Sequence, residues 1–214
     1  YIFKNTEGTP ENIRKFHPNV IVSSTGSAPL LPPIAGLKDR IDNENHNIYS
    51  ILGMISHIND FPKDLEGKKV VVVGGGAVGL DVVEFFADRN ADISIVEMMD
   101  QIGRDLDPVS KNDTKTMMKK HNVHQLTKTA LLEVKDSSFL VRGEDEPYEL
   151  PFEYGFVCLG MRAQGKLYQN LTEEFSSEDV EIMNIGDSQR ARRIIDGTQE
   201  GRNILTILEQ KGYL

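Results

Sequence analysis

Three glycines and one carboxylate carry the clearest chemistry in this chain. Gly74-x-Gly76-x-x-Gly79 follows the apolar run Lys69–Val73, and Glu97 lies 18 residues beyond Gly79, closing a second strand-like run, Asp92–Val96. A glycine at the first position permits a sharp turn out of a strand. At the second it leaves the backbone bare for close approach of a ligand, and at the third it lets the following helix pack tightly on the strand. A helix starting at Ala77 aims unpaired N–H groups and a partial positive charge at the same spot, which suits the phosphates of a dinucleotide. Gly75, Ala77 and Val78 complete that turn. A carboxylate at Glu97 is placed to accept hydrogen bonds from adenosine ribose hydroxyls and to repel a 2′-phosphate. Met98 and Met99 beside it bring no arginine to hold such a phosphate, and the nearest one downstream is Arg104. The expected ligand is therefore NADH rather than NADPH. Glycines alone would signify only a tight strand-to-helix turn; the strand, helix, strand and acidic end together make the pattern specific.

Other reactive side chains lack a constellation. Cys158 lies in an apolar run and reads as a small buried hydrophobe rather than a nucleophile. His121 and His124 are three apart but straddle a helix end, and no histidine has HExxH spacing. Asp105 with Asp107, and Glu144-Asp145-Glu146, read as exposed loop carboxylates rather than an acid–base dyad. The Met117-Met118 pair reads as packing. No catalytic residue and no metal ligand is assigned. The expected role is binding and orientation of cofactors that carry their own chemistry.

The elements that must position the glycines are legible from periodicity. Lys69–Val73 is a β-branched run of the kind buried on both faces of a parallel sheet. Ala77–Arg89 has helical spacing of Leu80, Val83 and Ala87. A polar helix over Pro108–Lys120 and a third strand at Val123–Thr127 follow. Leu131–Val134, Phe139–Arg142 and Tyr148–Leu150 suggest an antiparallel meander, and Tyr154–Leu159 a returning strand that ends at Gly160. Flanking this block are a strand at Asn19–Ser24, a loop from Pro29 to Pro33, a strand at Val180–Ile185 and a helix at Thr198–Gln210. Boundaries are expected near Phe61–Lys69, where FPKDLEGKK groups Pro, Gly and charges, and near Gly160–Gly165.

The chain has 214 residues and a formal net charge of −9. That balance argues against nucleic acid, which needs clustered Lys and Arg. A single cysteine excludes an intrachain disulfide and a CxxC pair. Apolar runs are too short to span a bilayer, and residues 1–20 are too polar for a signal peptide. A cytoplasmic location without membrane partners is expected. A homo-oligomer is compatible with the sequence. The chain enters structure almost at Tyr1, so a fragment is expected.

Four segments in series resemble the two-dinucleotide-domain flavoprotein reductases of the pyridine-nucleotide-disulfide-reductase fold. NVIVSSTGSAPLLPPIAG resembles the ATG-type strand that leaves an FAD domain. VVVVGGGAVGLDVVEFFADRNADISIVEMMD resembles the inserted NAD(P)H motif. FVCLGMR resembles the strand returning to the FAD domain, and IMNIGDSQRARRIIDGTQEGRNIL the terminal Gly-Asp segment and its helix. Spacing and the RRIIDGTQEG ending are most similar to the C-terminal region of the 2-enoate reductase, 2,4-dienoyl-CoA reductase and trimethylamine dehydrogenase family.

That resemblance implies an α/β fold in which a Rossmann-like NAD(H)-binding domain, residues 63–162, is inserted in a partial FAD-binding α/β domain, residues 1–62 and 163–214. It implies that Gly186 and Asp187 contact FAD, that Thr25 and Gly26 pack near FAD and the domain crossover, and that Gly160 lies near bound nicotinamide dinucleotide. Ser24 and Ala163-Gln164 are mild departures from the family pattern. No glycine fingerprint precedes residue 19, so FAD is expected to bind this chain weakly or not at all, with the missing N-terminal domain of the same polypeptide as its partner. FMN and a [4Fe–4S] cluster are expected only in that missing part, because one cysteine cannot hold a cluster that takes four. The implied function is passage of hydride from NADH to FAD in the intact enzyme, the chain alone being inactive. Another NAD(P)H-dependent flavoprotein reductase, or a non-catalytic ADP pocket, stays open.

Overall fold

A computed structural model describes residues 1–213. In chain order, a short helix α1 (Pro10–Arg14) precedes strands β1 (Val20–Ser23) and β2 (Ser27–Pro29), helix α2 (Leu37–Arg40), strand β3 (Ile48–Tyr49) and helix α3 (Ile51–Ser56). The glycine region follows as β4 (Lys69–Val73), α4 (Ala77–Ala87), β5 (Asp92–Val96), α5 (Pro108–Lys120) and β6 (His124–Leu126). Then come β7 (Ala130–Val134), β8 (Ser138–Arg142), β9 (Tyr148–Pro151), β10 (Tyr154–Val157), β11 (Met161–Ala163), α6 (Lys166–Glu174), β12 (Glu181–Asn184) and α7 (Ile194–Gln210). No helix among the described residues is long and apolar enough to cross a membrane.

The chain forms two compact units, Pro29–Gly160 and the combination of Tyr1–Ala28 with the residues from Met161 on. The central unit is built on a parallel sheet in the order β3-β10-β4-β5-β6. Its register explains the unbroken valine run of β4. Val70 and Val72 face a core shared with Val82, Val83 and Phe86 of α4, while Val71 and Val73 face a second core with Phe139 and Val141 of β8. Burial on both faces removes the alternation that a half-exposed strand needs. The antiparallel sheet β7-β8-β9 contributes Val134, Phe139 and Val141 to that second core.

The expected first boundary near residue 62 is corrected by the contacts. The chain enters the central unit at Pro29, because β3 pairs with β10 (Ile48 opposite Gly155) and Leu37, Ile41 and Ile48 are buried in the same core as β8. Composition at Phe61–Lys69 marked a turn, and Phe61 is itself buried in the α4 core. The second boundary falls after Gly160, whose carbonyl accepts from the Leu30 N–H at 2.9 Å. Both ends of the central unit therefore lie side by side.

In the other unit, β1 pairs in parallel with β12 and β2 with β11. Ile21, Leu171 and Phe175 form its small core, supported by Ile13 and Leu167. Several element ends differ from expectation for local reasons. Helix α4 stops at Ala87 because Asn90 takes a left-handed conformation (φ 61°), which its short polar side chain tolerates. Helix α7 starts at Ile194 rather than Thr198, since the Asp196 carboxylate accepts from the Arg193 N–H and closes the first turn. Pro29 ends β2 instead of opening a loop, the short elements α1, α2, α3, β3 and β11 carried no periodicity strong enough to read, and α6 was missed although Leu167 and Leu171 stand four apart on its buried face.

Candidate functional site

The glycine turn lies where β4 leaves the sheet. Gly74 has φ +110° and donates its N–H to the Val96 carbonyl at 2.8 Å. A Cβ there would lie 2.1 Å from the Cys158 carbonyl oxygen, and one on Gly79 would lie 1.9 Å from the Gly74 carbonyl oxygen. Those two glycines are demanded by the fold itself. Gly76 is different. Its backbone is extended (φ −78°, ψ −178°), and a Cβ there would meet no atom nearer than 3.9 Å. Nothing within the fold requires position 76 to be bare.

Helix α4 begins at that bare position without a side-chain cap. Thr9 caps α1, Ser50 caps α3 and Asp107 caps α5, whereas α2 and α6 also begin at glycines, Gly36 and Gly165, without a side-chain cap. Among the described residues, the N–H groups of Gly76, Ala77, Val78 and Gly79 find no acceptor. Unpaired N–H groups at the positive end of a helix dipole favour an anion. Gly76, Ala77 and Val78 are half-buried, so the groups are reachable.

Glu97 is brought to the same turn. Its backbone is pinned on both sides, the N–H donating to the Leu126 carbonyl and the carbonyl accepting from Thr129, each at 2.9 Å. Its carboxylate accepts from the Gly75 N–H through Oε2 and from the Met99 N–H through Oε1, both at 2.7 Å. One bond per oxygen leaves each with a further lone pair, enough to accept two hydroxyl groups. Met98 is 68% exposed beside it. Gly160 is exposed with φ +106° two residues beyond Cys158, so it lies at the same C-terminal edge of the sheet. Ligands of open α/β sheets bind outside that edge.

The segment after β5 folds back over the turn. Gly103 donates its N–H to the Gly75 carbonyl at 2.7 Å, and Ile102 packs on Gly75. Sequence alone treated Asp105 and Asp107 as equivalent loop carboxylates, and the structure separates them. Asp107 caps α5, accepting from the Val109 and Ser110 N–H groups, and these bonds with the Ser110 hydroxyl hold its carboxyl below the usual range. Asp105 faces Gly76. The Asp107-Pro108 pair could have signalled the cap from sequence, whereas the approach of Asp105 to Gly76 follows only from the path of the loop.

A cleft of about 360 Å³ between α4 and α5 also went unread in the sequence. Asp81, Glu84 and Asp113 line it, and burial raises the Asp81 carboxyl. Three carboxylates make it unsuited to phosphate. Cys158 is buried behind the glycine turn, and burial, reinforced by Asp81, pushes its thiol up to about 12. His124 lies 3.4 Å from Asp92 rather than against His121. No group of three or more candidate ligands is arranged for a metal among the described residues.

In the other unit, the remaining expected residues gather around a second glycine turn. Gly186 has φ +66° and donates its N–H to Glu200 Oε2 at 2.6 Å. Asp187 accepts from the Ser27 hydroxyl and the Arg192 N–H, each at 3.1 Å. Thr25 donates its hydroxyl to the Gln164 carbonyl at 2.6 Å, and Gly26 (φ +76°) accepts from the Gln164 N–H at 3.0 Å. Asp187 keeps spare lone pairs, but no bare glycine fingerprint accompanies it.

Comparison with known proteins places this geometry in context. The chain is 26% identical over 192 residues to the NADH oxidase of Thermoanaerobacter brockii, covering 89% of this chain and 28% of that protein. It is 21% identical to the cinnamate reductase of Clostridium sporogenes, again over 89% of this chain but 27% of the relative. The solved 2-naphthoyl-CoA reductase superposes with a TM-score of 0.76 at 22% identity, covering 92% of this chain and 28% of that one, a likeness of fold. The chain thus spans less than a third of these proteins. A family profile described as pyridine nucleotide-disulphide oxidoreductase matches residues 2–183, so the chain belongs to that family.

Proposed function

We propose that the central unit is the NADH-docking part of a flavin-dependent oxidoreductase resembling 2-enoate reductase. The observation that carries this reading is the uncapped start of α4 beside bare Gly76, with the Glu97 carboxylate anchored on the same turn. Unpaired N–H groups at Gly76–Gly79 fit a pyrophosphate, and the free lone pairs of Glu97 fit the two ribose hydroxyls. When bound, NADH would supply a hydride for an FAD held in the intact enzyme. The residues of this chain bind and orient: the glycine turn fixes the phosphates, Glu97 selects the sugar and Gly160 leaves the sheet edge bare. No side chain near the turn is asked to move a proton.

Asp187, Thr25 and Gly26 are proposed to line the FAD side of the intact enzyme, with the diphosphate-holding element lying in another part of the polypeptide. A [4Fe–4S] cluster does not fit this chain, whose only cysteine is buried Cys158, and no step is derived through one. NADH oxidase and cinnamate reductase among the relatives support the reductase class.

Calorimetric titration of NADH, NADPH and ADP tests the site. NADH is expected to bind at least about tenfold tighter than NADPH, since a 2′-phosphate would lie against the Glu97 carboxylate. Tighter NADPH would sink the cofactor choice. An absorption spectrum of the purified chain is expected to lack stoichiometric flavin. In the intact enzyme, NADH should bleach the flavin; ADP binding without bleaching would leave only a non-catalytic nucleotide pocket.

A further inference from the structure

Asp105 sits where the proposed ligand's charge must go. A Cβ on Gly76 would lie 3.9 Å from Asp105 Oδ1 and 4.0 Å from Oδ2, which places the carboxylate directly against the bare start of α4. Neither oxygen has a hydrogen-bond or ion-pair partner among the described residues. The neighbouring cations do not neutralise it: Lys111 gives its ammonium to the Arg104 carbonyl, and Arg104 is exposed, with no ion-pair partner among the described residues. The backbone on either side of it is anchored. Two residues before it, Gly103 is bonded to the Gly75 carbonyl, and two residues after it Asp107 is fixed as the cap of α5. Asp105 is thus a carboxylate held between two anchors, at a helix end that favours negative charge.

We propose that Asp105 is an internal competitor of the dinucleotide: its carboxylate sets like charge beside the start of α4 and weakens binding of any ligand whose pyrophosphate docks there. This rests on the NADH-docking reading. An incoming phosphate either displaces the carboxylate or accepts like charge a few ångströms away. Two unit charges about 4 Å apart in water change an equilibrium about fivefold. Asp105 therefore sets how readily the site releases its nucleotide, while Glu97 sets which nucleotide it holds.

The test compares wild type with Asp105→Asn and Asp105→Ala in titrations of NADH, ADP and adenosine. Asp105 is exposed and its side chain has no hydrogen-bond or ion-pair partner among the described residues, so both variants should fold, and circular dichroism checks this. Both variants are expected to bind NADH and ADP about fivefold tighter and adenosine, which carries no phosphate, unchanged. Unchanged or weaker NADH binding in variants of a wild type that does bind NADH overturns the competitor and leaves the docking site standing. Tightening by Asn but not Ala assigns the gain to a new amide donor and also overturns it. A matching gain for adenosine points to a rearranged loop and overturns the competitor as well. If no form binds NADH or ADP, the docking reading fails and takes the competitor with it.

Discussion

Each of the three fingerprint glycines answers to a different force, and substitution should separate them. Gly74→Ala puts a side chain at φ +110° and 2.1 Å from the Cys158 carbonyl oxygen, so it should destabilise the chain by about 3 kcal/mol or more in urea titration. Gly76→Val puts its Cβ on extended backbone with only the exposed Asp105 side chain at ordinary contact distance, so its melting temperature should stay within a few degrees of wild type while NADH affinity falls on the order of a hundredfold. Equal loss of stability in both would remove the distinction drawn between a glycine the fold needs and one the ligand needs. Glu97→Gln turns one accepting oxygen into a donor facing a backbone N–H. NADH should weaken about tenfold and NADPH should not, narrowing the ratio between them in paired titrations. The identities of Gly74, Gly76, Gly79 and Glu97 were legible in the sequence because a turn glycine and a strand-end carboxylate act locally. The bond from the Gly75 N–H to Glu97 was not, since it depends on β4 and β5 lying in register.

Elements show how a capping residue turns pH into stability. The Asp107 carboxyl is held below its usual value by the Ser110 hydroxyl and by N–H groups of the first turn of α5. A carboxyl lowered in the folded state contributes stability that is present above its unfolded value near 4, and that is lost as pH falls through the lowered folded value. Asp107→Ala should therefore lower the melting temperature by a few degrees at pH 7, and the gap to wild type should close towards pH 2. A gap that persists unchanged in acid would mean that the charge and its bonds are not what holds α5. The helix was legible at Pro108–Lys120, and Asp107 directly before Pro108 carried an N-cap signal as well, whereas the approach of Asp105 to Gly76 depends on the turn through Gly103.

At the scale of the whole molecule, the division into units makes a direct prediction. Residues 29–160 expressed alone should fold and bind NADH with unchanged affinity, because Gly74–Gly79 and Glu97 lie inside that unit and Leu30 bonds Gly160 where its ends meet. Residues 63–162 should not fold, since that cut discards β3 and the buried Leu37, Ile41 and Ile48. A folded, NADH-binding 63–162 piece would restore the boundary that composition suggested. Cys158 offers a probe of the same unit. Its thiol is raised to about 12, so it stays protonated at pH 8, and thiol reagents should label it only as fast as the unit opens. Immediate labelling of the native chain would mean that β10 is not buried behind the glycine turn.

The sequence by itself determined the strand–turn–helix–strand core and its acidic end. Backbone freedom at glycine and the period of apolar residues are properties of a few neighbours, and they read the same in any context. It also determined the order of the four segments that resemble a flavoprotein reductase. Tertiary structure alone decided that the segment from Pro29 to Ser56 joins the central unit, that Asp105 rather than Asp107 faces bare Gly76, and that the Gly75 N–H holds Glu97 to the turn. Each of those outcomes depends on residues brought together from distant strands or across a loop. Ile48 beside Gly155 is one such pairing, and no local pattern encodes it.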